Sequence, residues 1–151
     1  MAEHSFVRCW LHLLWGTLDY QKVLTEEARR KLSKYFYQYA KDKGIYMKIN
    51  HVNPDHVHAL IELPSKMTIE DLFHLFKGSS SHWINQNSIV EKKFAWEKGY
   101  AAFSVSHSKL DQVIKFIAEQ EQRHWNMTFE QELNELIKRH ELITVEKGKT
   151  V

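Results

Sequence analysis

Residues 45–63 constrain the fold more than any other segment. Ile45, Met47, Ile49 and His51 alternate with Tyr46, Lys48 and Asn50, and a period of two marks a strand whose faces meet different surroundings. Asn53-Pro54-Asp55 follows as a tight turn, because Pro presets φ and the Asn and Asp side chains bond nearby backbone. His56 to Leu63 reads as a second strand, stopped by Pro64. A lone two-stranded hairpin is marginal in water, so this one needs further strands or a covering helix.

The flanks supply both. Residues 6–18 are dense in aromatic and aliphatic side chains and read as a buried strand. Thr25 caps a helix running to about Asp42, with Ala28, Leu32, Tyr35, Phe36 and Tyr39 as its apolar stripe and Gly44 as its stop. After the hairpin, Thr68 caps a helix to about Asn85, Met67 staples onto Leu72, and Ile69, Leu72, Phe73 and Phe76 face inward. Tyr100 to Ser106 is a fourth strand. Ser108 begins a helix to about Trp125, with Leu110, Val113, Ile114 and Ile117 as its stripe. Thr128 and Gln131 form a capping box for a last helix bearing Phe129, Leu133, Leu136 and Ile137. The order β-α-β-β-α-β followed by helices is the ferredoxin-like α+β pattern. We expect one domain over residues 1–151, with 126–145 a C-terminal helical extension and the polar residues from 146 onward frayed.

Composition excludes several classes. A chain of 151 residues, 43% hydrophobic and 26% charged, suits one globular domain and not a disordered tail. Its one cysteine, Cys9, cannot form a disulfide within the chain and reads as a small buried hydrophobe in a reducing compartment. No stretch approaches the roughly 20 apolar residues of a membrane span, and the N-terminus lacks a basic signal-peptide region, so we expect a cytoplasmic protein. A net charge of +2 permits nucleic-acid binding without arguing for it.

Ten histidines are many for this length. His56 and His58 are two apart on a strand and so project to one face, where two imidazoles can share a metal. Solvated or hydrogen-bonded histidines on an open sheet face are the plainer reading, since a divalent metal needs at least a third ligand. Leu60 breaks the His-x-His-x-His pattern of nucleotide hydrolases, and a lone Cys9 argues against a cysteine–zinc site. Phe116 and Gln120 lie four apart, on one helical face; Gln120 offers a carbonyl oxygen suited to Mg²⁺ or Mn²⁺, although a surface glutamine and a core phenylalanine are the ordinary readings. Lys77, Ser79 and Ser80 end the second helix with groups that position phosphates. Trp83, Trp96 and Tyr100 lie near them in sequence and offer rings on which unpaired bases stack. Core packing and a solvated lysine compete with that reading.

Four segments in order resemble the single-tyrosine HUH transposases of insertion sequences and the REP-associated tyrosine transposases. They are Pro-Asp-His-Val-His-Ala-Leu-Ile-Glu-Leu-Pro (54–64), Leu-Phe-Lys-Gly-Ser-Ser-Ser (75–81), Trp-Glu-Lys-Gly-Tyr-Ala-Ala-Phe-Ser-Val-Ser (96–106) and Val-Ile-Lys-Phe-Ile-Ala-Glu-Gln-Glu (113–121). The resemblance spans about His12 to Leu142. It implies a bacterial or archaeal protein in which His56, His58 and Gln120 hold Mg²⁺ or Mn²⁺, which polarises a phosphodiester of single-stranded hairpin DNA. It also implies a homodimer with active sites shared between subunits, and a tyrosine that attacks phosphorus to form a phosphotyrosine link. Phe116 stands where that tyrosine belongs, and residues 101–151 contain no tyrosine at all. The expectation is therefore a transposase with cleavage in doubt; a hairpin-binding protein without catalysis and a metal-dependent phosphodiesterase using activated water are the alternatives.

Overall fold

The computed structural model describes residues 5–141. Four strands form one antiparallel sheet: β1 (Trp10–Gly16), β2 (Met47–Val52), β3 (His56–Glu62) and β4 (Ala101–Val105), in the order β2-β3-β1-β4. The helices are α1 (Glu26–Asp42), α2 (Ile69–Gln86), α3 (Leu110–Ala118), α4 (Gln120–Arg123) and α5 (Phe129–Arg139). The expected α+β order, β-α-β-β-α-β and then helices, is the observed one. Residues 142–151, which include the end of the expected helical extension and the tail from 146, lie outside the described residues.

Every residue of β1 is buried, because β3 and β4 flank it and helices cover both faces. It is shorter than residues 6–18. Its partners end at Glu62 and Val105, both opposite Trp10, and Phe6 and Val7 beyond them are exposed. On one face, α1 and α2 lay Leu32, Phe36, Leu72, Phe73 and Phe76 against Leu13, Trp15, Val57, Ala59 and Ile61. The Trp15 ring meets Phe36 at 5.4 Å and Phe73 at 5.8 Å, both edge-on, the favoured aromatic geometry. The three caps are as expected: Thr25 accepts from Ala28, Thr68 and Asp71 form a capping box, and so do Thr128 and Gln131. Gly44, at φ +72°, ends α1 in the left-handed region that glycine tolerates. Ile69 departs from its expected inward place and sits 36% exposed on the first turn of α2.

Two departures shape the other face. β2 does not alternate evenly, because a bulge lies between Met47, opposite Ile61, and Ile49, opposite Leu60. Met47 therefore joins the α1/α2 side, while Ile49 and His51 turn to the other. The expected helix over 108–125 is also divided: a 3-10 turn at His107–Lys109, α3, a bend at Glu119 (φ −98°, ψ 20°), then α4. Backbone hydrogen bonds Glu119 N–H to Lys115 O and Arg123 N–H to Glu119 O carry the chain through the bend. α3 and α5 cover this face with Phe116, Ile117, Phe129 and Leu136, packed on Trp10, Leu14, Leu60 and Phe103. Gly16 is required here, since a Cβ would lie 2.8 Å from the Tyr20 ring and 2.9 Å from Phe129.

Candidate metal centre

β3 is the middle of the site. Register places His58 opposite both Leu14 of β1 and His51 of β2, on the face covered by α3 and α5. His56 and His58 point to that face together and have no solvent exposure. The bend at Glu119 brings Gln120, also fully buried, to the same place. Phe116, one turn earlier, lays its ring 5.5 Å from His58 and 5.8 Å from His12. The four residues expected to form a site are thus assembled by one chain.

Two more donors join them. Glu132 reaches in from α5: its Oε1 lies 2.8 Å from His58 Nε2, 3.1 Å from His124 Nε2 and 3.4 Å from His56 Nε2. Its Oε2 accepts a hydrogen bond of 2.9 Å from Gln120 Nε2. One ligand atom each from His56, His58, His124 and Glu132 lies within 4.8 Å of the others, so this His/Glu cluster is compatible with a metal site. Sequence reading passed over both residues, although each carried a signal. His124 is four residues after Gln120 and shares its helical face. Glu132 sits between Phe129 and Leu136 on the inward stripe of α5, where an unpaired charge is costly.

The outer groups orient the rings. His56 Nδ1–H donates to Asp55 Oδ1 at 2.6 Å, and His124 Nδ1–H donates to the Met127 carbonyl at 2.6 Å. Each bond orients its ring so that Nε2 points inward. Asn53 completes the shell, its amide donating to His56 Nε2 at 3.0 Å and to Gln120 Oε1 at 3.1 Å. Electrostatics divides the histidines. Burial pushes His58 well below the ordinary value, against the pull of Glu132. Burial likewise lowers His12 to about 4. His56 is also penalised by burial, but Asp55 and Glu132 outweigh it and raise its pKa. Burial disfavours the Glu132 carboxylate, yet its bonds to the three histidines hold it well below the usual carboxylate range.

The residues expected to meet DNA lie on the other face of the sheet, around α2. Lys77 Nζ donates to the carbonyls of Lys98 and Gly99 and sits 5.8 Å over the Tyr100 ring. Tyr100 stacks on Phe73 at 3.8 Å and stays 46% exposed. Ser80 is fully buried and accepts from the Trp96 indole, so it braces that turn and offers nothing to a partner in this conformation. The Ser79 hydroxyl is buried and has no hydrogen-bond partner. Trp83 stacks on Tyr35 at 4.6 Å. No helix among the described residues is long and apolar enough to cross a membrane.

A family model described as "Transposase IS200 like" matches residues 5–120, some three quarters of the chain. The chain belongs to the IS200-like transposase family. Among curated proteins, this family member is 27% identical over 114 residues to the ISDra2 transposase TnpA of Deinococcus radiodurans, covering 72% of this chain and 81% of that one. Among solved structures, a Deinococcus radiodurans protein assigned as a transposase superposes with a TM-score of 0.60 at 23% identity, over 80% of this chain and 96% of that one. A REP-associated tyrosine transposase bound to a REP hairpin gives a TM-score of 0.60 at 13% identity, over 82% of this chain and 74% of that one. Both likenesses confirm the fold. The family match ends at Gln120, so His124 and Glu132 of this IS200-like chain lie beyond it.

Proposed function

We propose that this transposase-family protein binds single-stranded hairpin DNA and no longer cleaves it. One observation carries the reading: the helix assigned to the nucleophile packs against the His pair, and Phe116 on it has no hydroxyl. Burial of His56, His58 and Glu132 supports the same conclusion, because a phosphodiester cannot approach them without displacing α5. It also argues against a phosphodiesterase that activates water on the His pair. The partner reading rests on family membership, and on a structural relative bound to a REP hairpin. Lys77 and Tyr100 offer a cation and an exposed ring on the face away from the His pair, and Ser79 and Trp83 lie on the same helix as Lys77. Homodimerisation is part of the proposal, but a partner is not needed to bring Gln120 to His56, since α4 does so within one chain.

The donor set fits a divalent metal. His56 and His58 would hold it beside Gln120, and it would supply a Lewis acid. Imidazole donors suit Mn²⁺ better than Mg²⁺, which prefers an oxygen shell. Asp55 and Asn53 would keep the His56 ring in place, and Gln120 would fix Glu132.

The protein and its Phe116→Tyr variant are mixed with labelled single-stranded DNA from the flanks of the gene, with Mn²⁺ or EDTA, and run on native and denaturing gels. Both proteins are expected to shift the hairpin with or without metal, and neither to form a covalent band, because a new hydroxyl does not uncover the His pair. A metal-dependent adduct from Phe116→Tyr would overturn the loss of cleavage and describe a strand transferase short of one hydroxyl. Absence of hairpin binding would overturn the binding reading.

A further inference from the structure

We infer that His56, His58, His124 and Glu132 form a closed four-ligand site for a zinc-like transition metal, which bolts α5 to the sheet. The inference deepens the metal part of the reading above and is independent of DNA.

The arrangement of donors makes the case. His56 and His124 each engage Nδ1 with an outer group, Asp55 and the Met127 carbonyl, which turns the Nε2 of both rings inward. Both face Glu132 Oε1, itself an acceptor, at 3.4 and 3.1 Å. Ring nitrogens converging on a carboxylate oxygen need protons or a metal cation between them. The Asn53 amide also lies 3.0 Å from His56 Nε2. His58 adds a third imidazole at 2.8 Å, and its other nitrogen is engaged by His12 at 2.8 Å. A carboxylate, a backbone carbonyl and a second histidine thus hold the three rings from behind, the outer arrangement of metal-ligating histidines. A metal at about 2.0–2.1 Å from each donor needs donors roughly 3.3 Å apart, close to the 2.8, 3.1 and 3.4 Å between Glu132 Oε1 and the three ring nitrogens, and all four donor atoms lie within 4.8 Å of one another.

The chemistry selects the ion. Three imidazoles and one carboxylate make a tetrahedral nitrogen-rich set suited to Zn²⁺ or Co²⁺ and poor for Mg²⁺. Four protein donors leave no open position, and among these four only His124 is not fully buried. A catalytic site keeps one position open, whereas a structural site closes it. Gln120 then positions Glu132 through its Oε2 instead of binding metal. The ion would join β3, the end of α4 and α5, adding to the Gln120–Glu132 and Asn53–Gln120 hydrogen bonds.

The test uses the full chain stripped with chelator, without DNA. Zn²⁺, Mn²⁺ and Mg²⁺ are titrated in competition with a chromophoric chelator, and Tm is followed in parallel. Zn²⁺ is expected to bind at least about 100-fold more tightly than Mg²⁺ and to raise Tm. Co²⁺ in the unaltered protein should give the intense visible bands of tetrahedral coordination. Glu132→Gln and His124→Gln should each weaken Zn²⁺ binding by about 100-fold or more, with circular dichroism confirming that they remain folded. Absence of Zn²⁺ binding, an octahedral Co²⁺ spectrum, or equal Zn²⁺ affinity in both variants would each overturn the four-ligand site. None of these results bears on hairpin binding, which the gel assay reads separately.

Discussion

The two faces of the sheet are built from different physics. Beneath α1 and α2 lies a core of rings and branched chains, where Trp15, Phe36, Phe73 and Phe76 are held by apolar burial and dispersion. Beneath α3, α4 and α5 lies a network of four histidines, Gln120 and Glu132, buried except at the edge of His124 and held by directional bonds. The first tolerates local repacking, since it asks mainly for volume. The second depends on every partner being present, because a buried polar group without one costs its full desolvation. The apolar face is therefore the foundation, and the polar face the one that a single missing partner disrupts.

The largest expected effect breaks the foundation. Phe76→Ala should cost about 3–5 kcal/mol, since the ring is fully buried and the cavity cannot close. A loss of unfolding free energy below a third of that in urea titrations would mean the two faces bear more equal shares.

Next comes acid sensitivity, which belongs to the polar face alone. The folded pKa of His12 is depressed to about 4. As pH falls below the ordinary value near 6.5, the unfolded chain takes up a proton that the folded chain refuses, so stability is lost between those limits and not below them. For His12 the ceiling is about 3 kcal/mol. His58 adds in the same direction, and Glu132 adds as pH falls through the usual carboxylate range, while the raised pKa of His56 opposes them. Denaturant unfolding of chelated protein at pH 7, 5.5 and 4.5 should show the loss, and His12→Gln should flatten it. An unchanged slope would assign the proton uptake to other groups.

The smallest effect sharpens the comparison. Thr25→Ala and Thr128→Ala each remove a helix cap and should cost about 1 kcal/mol. Thr128→Ala should also shrink the stabilisation gained from Zn²⁺, because α5 carries Glu132. Thr25→Ala, on the other side of the sheet, should leave that gain intact.

Local chemistry was legible wherever neighbours in sequence decide it. Thr25, Thr68 and Thr128 announced their helices because capping acts within one turn. The hairpin was readable from Asn53-Pro54-Asp55, and the shared face of His56 and His58 from the pleat. The motif order pointed to the family that the match over residues 5–120 establishes. Illegible were the bulge that turns Ile49 and His51 to the His face, and the bend at Glu119 that delivers Gln120. Both are settled by packing against distant strands, which local periodicity does not report. The burial of Ser80 beneath the Trp96 indole belongs to the same class.

The sequence by itself determined the elements, their order, the His pair and the missing hydroxyl at Phe116, because each depends on residues a few positions apart. Tertiary structure alone decided that Glu132, 74 residues from His58, would enter the site with His124. Spacing rules cannot see that encounter: α5 is placed by the apolar contacts of Phe129 and Leu136 with the sheet, and the carboxylate between them is carried in by that packing.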